Sequence, residues 1–385
     1  MPQVINLGHT MAEKKAPGAR NKRSAPRNGK TAPLFAAVDL GTNNCRLLVA
    51  EPRGKTFRVV DSHSQIARLG EGLHETGRLS DAAIERAIDA LQNIRKKLKQ
   101  HGVGRVRCIA TEACRKADNG AEFIRRVHEE TGLTFKIIGA HEEARLATIG
   151  CHDLIEPSAK SVLVVDIGGG STELSWVNAE AARDNGFKGL LEKAPILGWT
   201  SLPLGVVTLS EAFQHFDEVE AYPLMLEHAR QAISTWDGID AVRDAMGVDD
   251  AHMIGTSGTV TCLAGVHLKL DRYRRDKVDG TWLSRDESAA AIQLLRDVGL
   301  EGRLKLPTIG DERAGLMLAG CAIVEAVWEA FPAGRLRVAD RGLREGLLLS
   351  MMYGPKRTKT RRRGRRGRRG PDNGAGQQED TNNVG

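Results

Sequence analysis

Apolar positions along the first half of the chain form short runs that predict strands and helices in alternation. Ser80 is a typical helix N-cap, and apolar side chains recur after it with a helical period, at Ile84, Ile88, Leu91 and Ile94. The alternation continues to about residue 155, which favours an α/β arrangement built on a sheet. The predicted strands are LFAAVDL at 34–40, CRLLVAEP at 45–52, one or two strands in FRVVDSHSQIARL at 57–69, VRCIAT at 106–111 and TFKIIG at 134–139. The predicted helices span 81–100, 120–132 and 141–155.

The second half of the chain begins with an echo of the first. AAVDLGTNNCRLLVA at 36–50 and VLVVDIGGGSTELSWV at 162–177 share one plan: a strand, an aspartate, a glycine-containing polar turn and a second strand. Asp39 and Asp166 lie 127 residues apart, which is about the length of one domain. This spacing predicts two similar α/β domains that face each other across a cleft.

The predicted organisation has four parts. Residues 33–150 form the first domain and residues 151–354 the second, with the last helix of the second domain packing back on the first. The segments 1–32 and 355–385 lack an apolar period and are expected to be disordered.

The ends of the chain and its body differ in net charge. The net charge is +7, but residues 356–369 hold ten Lys or Arg and no acid, and residues 1–30 hold seven Lys or Arg and one acid. The body between the tails therefore carries about −6. The basic tails either keep the protein soluble or attach it to RNA or another polyanion, because clustered arginines displace condensed counterions.

Cysteine spacing and hydropathy indicate the cellular compartment in which the protein is expected. The six cysteines are scattered without a CxxC pair, which is typical of buried thiols in a reducing cytosol rather than of a zinc module or a disulfide framework. No apolar stretch approaches the roughly 18–20 residues that a membrane helix needs. We therefore expect a cytoplasmic protein without a membrane partner. A homodimer is compatible with the sequence.

Three turns of small residues follow strand-like runs and are candidate phosphate-binding loops. Glycine lets the backbone approach a ligand closely, so consecutive amide groups in such a turn can face one anion. Each turn alone could equally be a tight hairpin. The three sequences are DLGTNN at 39–44, DIGGGST at 166–172 and GTSGT at 255–259.

Acidic residues beside these turns suggest a cation. Asp39 and Asp166 each end a strand directly before a turn, and Glu173 stands on the strand that returns from the second turn. A carboxylate next to bound phosphate is repulsive unless a cation lies between them, and Mg²⁺ is well suited to that position. The alternative is that Asp166 only caps its turn.

Two further segments carry charged candidates. GAHEEARLA at 139–147 places Glu142 and Glu143 at a helix start, where the helix dipole favours acids without any function. IATEACRKADN at 109–119 places Arg115 just after a strand, where its guanidinium could hold a phosphate or be an ordinary surface group.

Seven segments in this order closely resemble the Ppx/GppA family of exopolyphosphatases and guanosine pentaphosphate phosphohydrolases. The resemblance implies two actin-like domains, as in the ribonuclease H-like fold of sugar kinases and actin-like ATPases, with the active site in the interdomain cleft. The segments are AAVDLGTNNCRLLVA, IATEACRKADN, KIIGAHEEARLATIG, VVDIGGGSTEL, LPLGVVTL, GTSGTVTCLAG and LRVADRGLREGLLL.

The resemblance also implies roles for individual residues. It assigns Glu143 as general base, Arg115 as a phosphate contact, and Asp166 and Glu173 as acidic residues of a Mg²⁺ site. Asp39 joins the predicted Mg²⁺ site through its position before the first turn. It assigns phosphate binding to a first loop of Gly41, Thr42, Asn43 and Asn44, a second loop of Gly168, Gly169, Gly170, Ser171 and Thr172, and a third loop containing Gly255, Ser257, Gly258 and Thr259.

The expected activity is Mg²⁺-dependent hydrolysis of a terminal phosphoanhydride. Inorganic polyphosphate is the favoured substrate, because aromatic residues make up only 4% of the chain and none lies in or next to the three turns. Guanosine pentaphosphate (pppGpp) is the alternative, and it would require a base pocket. Two other classes stay open: a small-molecule kinase or ATPase on the same fold, and a non-catalytic protein that binds RNA or polyphosphate through its tails.

Overall fold

A computed structural model describes residues 32–247 and 249–355 of the chain. The expectations for the basic terminal segments therefore fall outside the described residues, apart from Ala32 and Pro355. None of the helices in the described part of the chain is both long and apolar enough to cross a bilayer.

The first half of the chain forms a five-stranded mixed sheet. Its strands are β1 (Phe35–Leu40), β2 (Asn44–Arg53), β3 (Thr56–Ile66), β4 (Arg105–Ala110) and β5 (Phe135–Ile137). The spatial order is β3-β2-β1-β4-β5, in which β1, β2 and β3 pair antiparallel and β1, β4 and β5 pair parallel. Strand β1 is central and buried along its whole length, as its run of apolar residues predicts.

The second half forms a six-stranded sheet that repeats the topology of the first. Its strands are β6 (Ser161–Ile167), β7 (Thr172–Asn178), β8 (Ile196–Leu202), β9 (Ala251–Thr256), β10 (Trp282–Ser284) and β11 (Arg335–Ala339). The order β10-β11-β9-β6-β7-β8 contains the same five-strand arrangement, with β10 added at one edge. The repeated topology confirms the predicted fold of two ribonuclease H-like lobes.

Helices pack around both sheets. In the described chain they are α1 (Leu73–Thr76), α2 (Asp81–Gln100), α3 (Glu112–Lys116), α4 (Gly120–Thr131), α5 (Ala140–Gly150), α6 (Ala179–Asp184), α7 (Gly186–Glu192), α8 (Val206–Ala212), α9 (Glu218–Ser234), α10 (Ile239–Met246), α11 (Gly258–His267), α12 (Arg275–Val278), α13 (Arg285–Asp297), α14 (Gly299–Leu304), α15 (Asp311–Ala314), α16 (Met317–Ala330) and α17 (Leu343–Tyr353).

Local sequence signals place several helix boundaries. Ser80 caps α2 by accepting a hydrogen bond from the backbone N–H of Ala83, and Gly132 ends α4 in the left-handed conformation at φ 69°. The helix predicted at 141–155 is shorter than expected. It ends at Gly150, and a separate 3₁₀ turn covers His152–Leu154.

Helices α5 and α17 cross each other where their backbones almost touch. A Cβ on Gly150 would lie 1.9 Å from the carbonyl oxygen of Gly342, and a Cβ on Gly346 would lie 1.9 Å from that of Leu146. Glycine is required at this crossing because any side chain would push the two helices apart. The crossing fixes the first turns of both helices, which carry Glu143 and Arg344 at the cleft.

Candidate active site

A cleft of about 720 Å³ is lined by residues from both halves of the chain. The β1–β2 and β6–β7 turns, the β9–α11 turn and the start of α5 all open onto it. Every predicted site residue lines this cleft except Arg115, Thr172 and Gly255. The structure therefore brings together segments that lie far apart in the sequence.

The first and second loops have the same backbone geometry. In the first loop the amide of Gly41 donates to the carbonyl of Asn44 at 3.0 Å, and in the second loop Gly168 donates to Ser171 at 2.8 Å. Each loop follows an aspartate that is the second-to-last residue of its strand, Asp39 in β1 and Asp166 in β6. The sequence echo thus corresponds to two equivalent hairpin turns, one in each lobe.

The two loops touch each other across the cleft. A Cβ on Gly169 would lie 3.0 Å from Thr42 Cβ, and one on Gly170 would lie 2.8 Å from Thr42 Oγ1. Behind the second loop, a Cβ on Gly205 would lie 2.3 Å from the backbone of Gly169 and Gly170. Small residues at these positions let the backbones of both lobes approach the same space.

Gly205→Ala tests whether this close packing matters for the site. We expect kcat/KM for phosphate release to fall by about 10- to 100-fold, because the added methyl group pushes the second loop out of place. Steady-state kinetics measure the effect. Gly334→Ala is the control, since a Cβ there meets no atom within 4 Å. Equal activity of the two variants would show that the position of the loop does not limit turnover.

The third loop combines backbone strain with an exposed helix start. Ser257 has φ 152° and ψ 174°, a region that residues other than glycine rarely adopt, and its side chain accepts from the amide of Val260 at the start of α11. Ser257, Gly258 and Thr259 line the cleft, where the amide groups of a helix N-terminus favour an anion. Such strain in a cleft-lining turn is typical of functional sites.

Two predicted loop residues have packing roles instead. Gly255 lies within β9, where a Cβ would come within about 3.0–3.2 Å of Val260 and Leu336. Thr172 is fully buried at the start of β7, and its hydroxyl donates to the carbonyl of Leu204 at 2.5 Å. Gly255 permits close packing behind the third loop, and Thr172 anchors the end of the second loop.

Buried carboxylates form one part of the cleft. Asp166 and Glu173 face each other as a cross-strand pair of β6 and β7. Burial and the nearby Glu173 raise the pKa of Asp166 to about 8. Burial also raises the pKa values of Asp39 and Glu143 above their usual range. Gathering these acids in a low-dielectric cleft is unfavourable unless positive charge is supplied.

The carboxylates fit a Mg²⁺ ion that is shared with a phosphate. Glu173 accepts hydrogen bonds from Ser171 and Ser201 on Oε1, and the buried Oδ1 of Asp39 has no hydrogen-bond partner. The described residues contain no group of three or more His, Cys, Asp or Glu that could hold a metal ion by themselves. Mg²⁺ characteristically takes one or two carboxylates together with phosphate oxygens and water, so these carboxylates fit such an ion when a phosphate is bound.

The structure distinguishes Glu143 from its neighbour. Glu143 is buried and lines the cleft, whereas Glu142 turns away and pairs with Arg145 at 2.7 Å. Arg115 donates from Nη1 to Glu143 at 3.1 Å and to the carbonyl of Ile138 at 2.8 Å. This arrangement orients the Glu143 carboxylate toward the cleft.

The guanidinium group of Arg115 donates its hydrogen bonds to other groups of the protein in this structure. Its Nε and Nη2 atoms donate to Glu112, a buried cleft-lining residue that sequence reasoning missed. A direct contact of Arg115 with phosphate therefore stays a prediction. Glu112 stood within the quoted segment IATEACRKADN, but nothing in its spacing separated it from an ordinary helix-start acid.

Positively charged side chains also line the cleft. Arg46, Arg313 and Arg344 line it, and none of them forms a salt bridge with the described residues. Two neighbouring arginines are paired instead: Arg275 with Glu345 at 3.2 Å, and Arg341 with Asp153 at 2.6 Å. The guanidinium groups of Arg46, Arg313 and Arg344 offset the acidic charge of the body locally and suit an anionic ligand.

Two ribonuclease H-like lobes whose equivalent turns meet at one cleft define the actin-like class of phosphate-handling proteins. A sequence model of the Ppx/GppA phosphatase family matches residues 48–354, and the chain belongs to this family. The resemblance noted in the sequence is thereby confirmed.

Solved structures agree with this placement. A Ppx/GppA family member from Aquifex aeolicus is similar at 31% identity and a TM-score of 0.66, over 83% of this chain and 97% of its own. An exopolyphosphatase-like protein is similar at 27% identity and a TM-score of 0.71, over 83% and 98%. An exopolyphosphatase from Cytophaga hutchinsonii shares 23% identity at a TM-score of 0.72, over 83% and 97%, and supports the fold alone.

Proposed function

We propose that the chain is a Mg²⁺-dependent exopolyphosphatase that releases the terminal phosphate of inorganic polyphosphate. The observation that carries this proposal is that three arginines which form no salt bridge with the described residues, Arg46, Arg313 and Arg344, line the same cleft as the phosphate loops. A linear chain of phosphates presents repeated negative charge, which such a group of arginines binds without a base pocket. The arginines also provide positive charge within the cleft, although the net charge of the body is negative.

Different residues of the cleft have different roles in the proposed reaction. Backbone amides of the first and second loops hold the oxygens of the terminal phosphoryl group. Asp166 and Glu173 would hold a Mg²⁺ ion, which when bound would neutralise charge on the phosphates. Glu143, oriented by Arg115, accepts a proton from the attacking water, a contribution of roughly 10²–10⁴-fold in rate.

A direct assay tests this proposal against its rivals. Phosphate release is measured with Mg²⁺ and purified polyphosphate, pppGpp or ATP, without any added acceptor. We expect the highest kcat/KM for polyphosphate. Turnover of ATP that requires an acceptor would identify a kinase instead. Binding of polyphosphate without release of phosphate would identify a non-catalytic polyanion-binding protein.

One observation favours pppGpp as the second candidate. Tyr273 lines the cleft with 37% of its surface exposed, and its hydroxyl is hydrogen-bonded to Asp340. No other Phe, Tyr or Trp lines the cleft within the described chain. An exposed ring fixed in this way offers a face on which a nucleobase can stack, although no aromatic residue stands beside the loops in the sequence.

Tyr273→Ala and Tyr273→Phe separate the two substrates. Stacking of a base on an aromatic ring contributes about 1–3 kcal/mol, so Tyr273→Ala should lower kcat/KM for pppGpp by about tenfold or more while Tyr273→Phe retains it. Neither variant should change kcat/KM for polyphosphate more than about twofold. If kcat/KM of Tyr273→Ala equals that of the wild type for both substrates, Tyr273 does not recognise the base.

A further inference from the structure

The segment 67–72 supports the first phosphate loop from behind. The amide of Ala67 donates to the carbonyl of Asn43 at 2.9 Å. The amide of Gly70 donates to the carbonyl of Thr42, also at 2.9 Å. A Cβ on Gly70 would lie 2.3 Å from Thr42 Cγ2, so the segment packs directly against the loop. Any displacement of this segment would therefore move the first loop.

Helix α8 supports the second phosphate loop in the same way. The amide of Val206 donates to the carbonyl of Gly168 at 3.0 Å, at the start of the helix. The next amide, that of Val207, donates to the carbonyl of Gly169 at 2.8 Å. Gly205, directly before the helix, packs against the same loop. The position of α8 therefore determines the position of the second loop.

Glu211 connects these two supports across the lobes. It lies near the end of α8 in the second lobe, and its Oε1 atom accepts a hydrogen bond from the amide of Gly72 in the first lobe at 3.2 Å. Gly72 has the left-handed conformation at φ 69°, which glycine adopts readily. The carboxylate thus joins the segment behind one phosphate loop to the helix behind the other.

The surroundings of Glu211 are unfavourable for an acid that lacks a partner. The side chain is partly buried, and burial raises its pKa above the ordinary value. The neighbouring Glu71 and Glu75 raise this pKa further, whereas the hydrogen bond from Gly72 and the charge of His74 act in the opposite direction. An ionised acceptor makes a stronger hydrogen bond to an amide than a neutral one does. The bond to Gly72 thus offsets part of the unfavourable burial.

The reaction under Proposed function requires both loops at once. It places the terminal phosphoryl group between the amides of 41–44 and those of 168–171. Both sets of amides can contact the same group only at the lobe separation at which Thr42 approaches Gly169. Misplacement of a positioning group by about 1 Å can lower a rate about 10²-fold. A contact that holds the lobes at this separation therefore contributes to productive binding of the substrate.

We propose that Glu211 is a positioning residue that clamps the two lobes together so that both phosphate loops reach one phosphoryl group. This role rests on the proposed phosphoanhydride hydrolysis. Without the clamp the lobes would spend part of the time apart, and the apparent affinity for substrate would fall in proportion to the fraction of molecules with the loops together. Bound substrate contacts both loops and restores their separation, so the rate at saturation would change little. Loss of Glu211 is therefore a defect in KM rather than in kcat.

Substitutions of Glu211 test the clamp by steady-state phosphate release with Mg²⁺ and polyphosphate. Glu211→Ala should raise KM about tenfold while kcat changes less than about threefold. Glu211→Gln keeps a carbonyl oxygen that can accept from Gly72, so its KM should stay within about threefold of the wild type. Glu75→Ala is the matched control, because it removes an exposed acid near the same contact and leaves the bond intact. A fall in kcat at unchanged KM, or a Gln variant no better than the Ala variant, would overturn the role.

The separation of the lobes can also be measured without turnover. Nitroxide labels on cysteines introduced at Asp89 of α2 and Gln231 of α9 report it by double electron–electron resonance, because all six native cysteines are buried. We expect a broader distance distribution in Glu211→Ala than in the parent protein, and Mg²⁺ with tripolyphosphate should narrow it again in a Glu143→Gln background. Identical distributions with and without Glu211 would overturn the clamp. A wild type that releases no phosphate from polyphosphate would instead overturn the proposed function, and the distance measurement would then decide the clamp alone.

Discussion

Glu143→Gln is expected to lower kcat for phosphate release by about 10²–10⁴-fold while polyphosphate still binds. The amide is nearly isosteric with the carboxylate, so the hydrogen bond from Arg115 can persist, but the amide cannot accept the proton of the attacking water. Steady-state phosphate release measures kcat, and equilibrium binding of polyphosphate to the variant measures affinity. The effect is large because the step that the base assists is the bond-forming step.

Glu142→Gln is the matched control for this prediction. Glu142 is the adjacent residue on the same helix, yet it pairs with Arg145 and does not line the cleft. Its variant should retain activity within about twofold. If Glu143→Gln keeps near-normal turnover, or if both variants lose activity equally, Glu143 is not the base.

The pH profile gives the same assignment a second test. Burial raises the pKa of Glu143 above its ordinary value, so the deprotonated fraction, and with it kcat/KM, increases as the pH increases. Arg115 acts in the opposite direction by favouring the charged form. The wild type should therefore show an acid limb in its profile of kcat/KM against pH. That limb should be absent in Glu143→Gln.

Asp166→Asn is expected to have the second large effect. Loss of one carboxylate should lower kcat/KM by about 10²-fold or more and raise the Mg²⁺ concentration needed for half-maximal rate. Initial rates measured across a series of Mg²⁺ concentrations test both expectations. Asp250→Asn is the control, because Asp250 pairs with Lys160 on the surface of the same lobe. An unchanged Mg²⁺ requirement would contradict the proposed metal site.

The same substitution should stabilise the metal-free protein. The pKa of Asp166 is raised to about 8 by burial and by Glu173, so its ionised form is disfavoured in the folded state. For an acid with a raised folded pKa, stability decreases as the pH rises from the unfolded pKa toward the folded one. Asparagine removes that penalty. The melting temperature of Asp166→Asn without Mg²⁺ should exceed that of the wild type above about pH 4.

Local sequence patterns were sufficient to predict much of the fold. The apolar period and the cap at Ser80 predicted α2 over its full length, and the echo around Asp39 and Asp166 predicted two equivalent hairpins. These features depend on short-range physics: helix capping, the alternation of buried strand residues, and the small residues that a tight turn needs. The order of motifs then indicated the family.

Features that depend on contacts between distant segments could not be predicted in the same way. The packing of Gly205 against the second loop joins parts of the chain separated by strands β7 and β8 and the helices between them. Tyr273 reaches the cleft although it lies outside the three loop motifs. Arg115 of α3 engages Glu143 of α5 because the ends of β4 and β5 bring these two helices together.

The proposed mechanism requires that one cleft holds the end of a polyphosphate between the two loops, with Glu143 beside the terminal phosphorus. The decisive measurement is a crystal structure of Glu143→Gln with Mg²⁺ and tripolyphosphate. We expect a terminal phosphate against the amides of 41–44 and 168–171 and a metal ion on Asp166 and Glu173. Tripolyphosphate bound outside this cleft, or bound with its end away from residue 143, would overturn the mechanism.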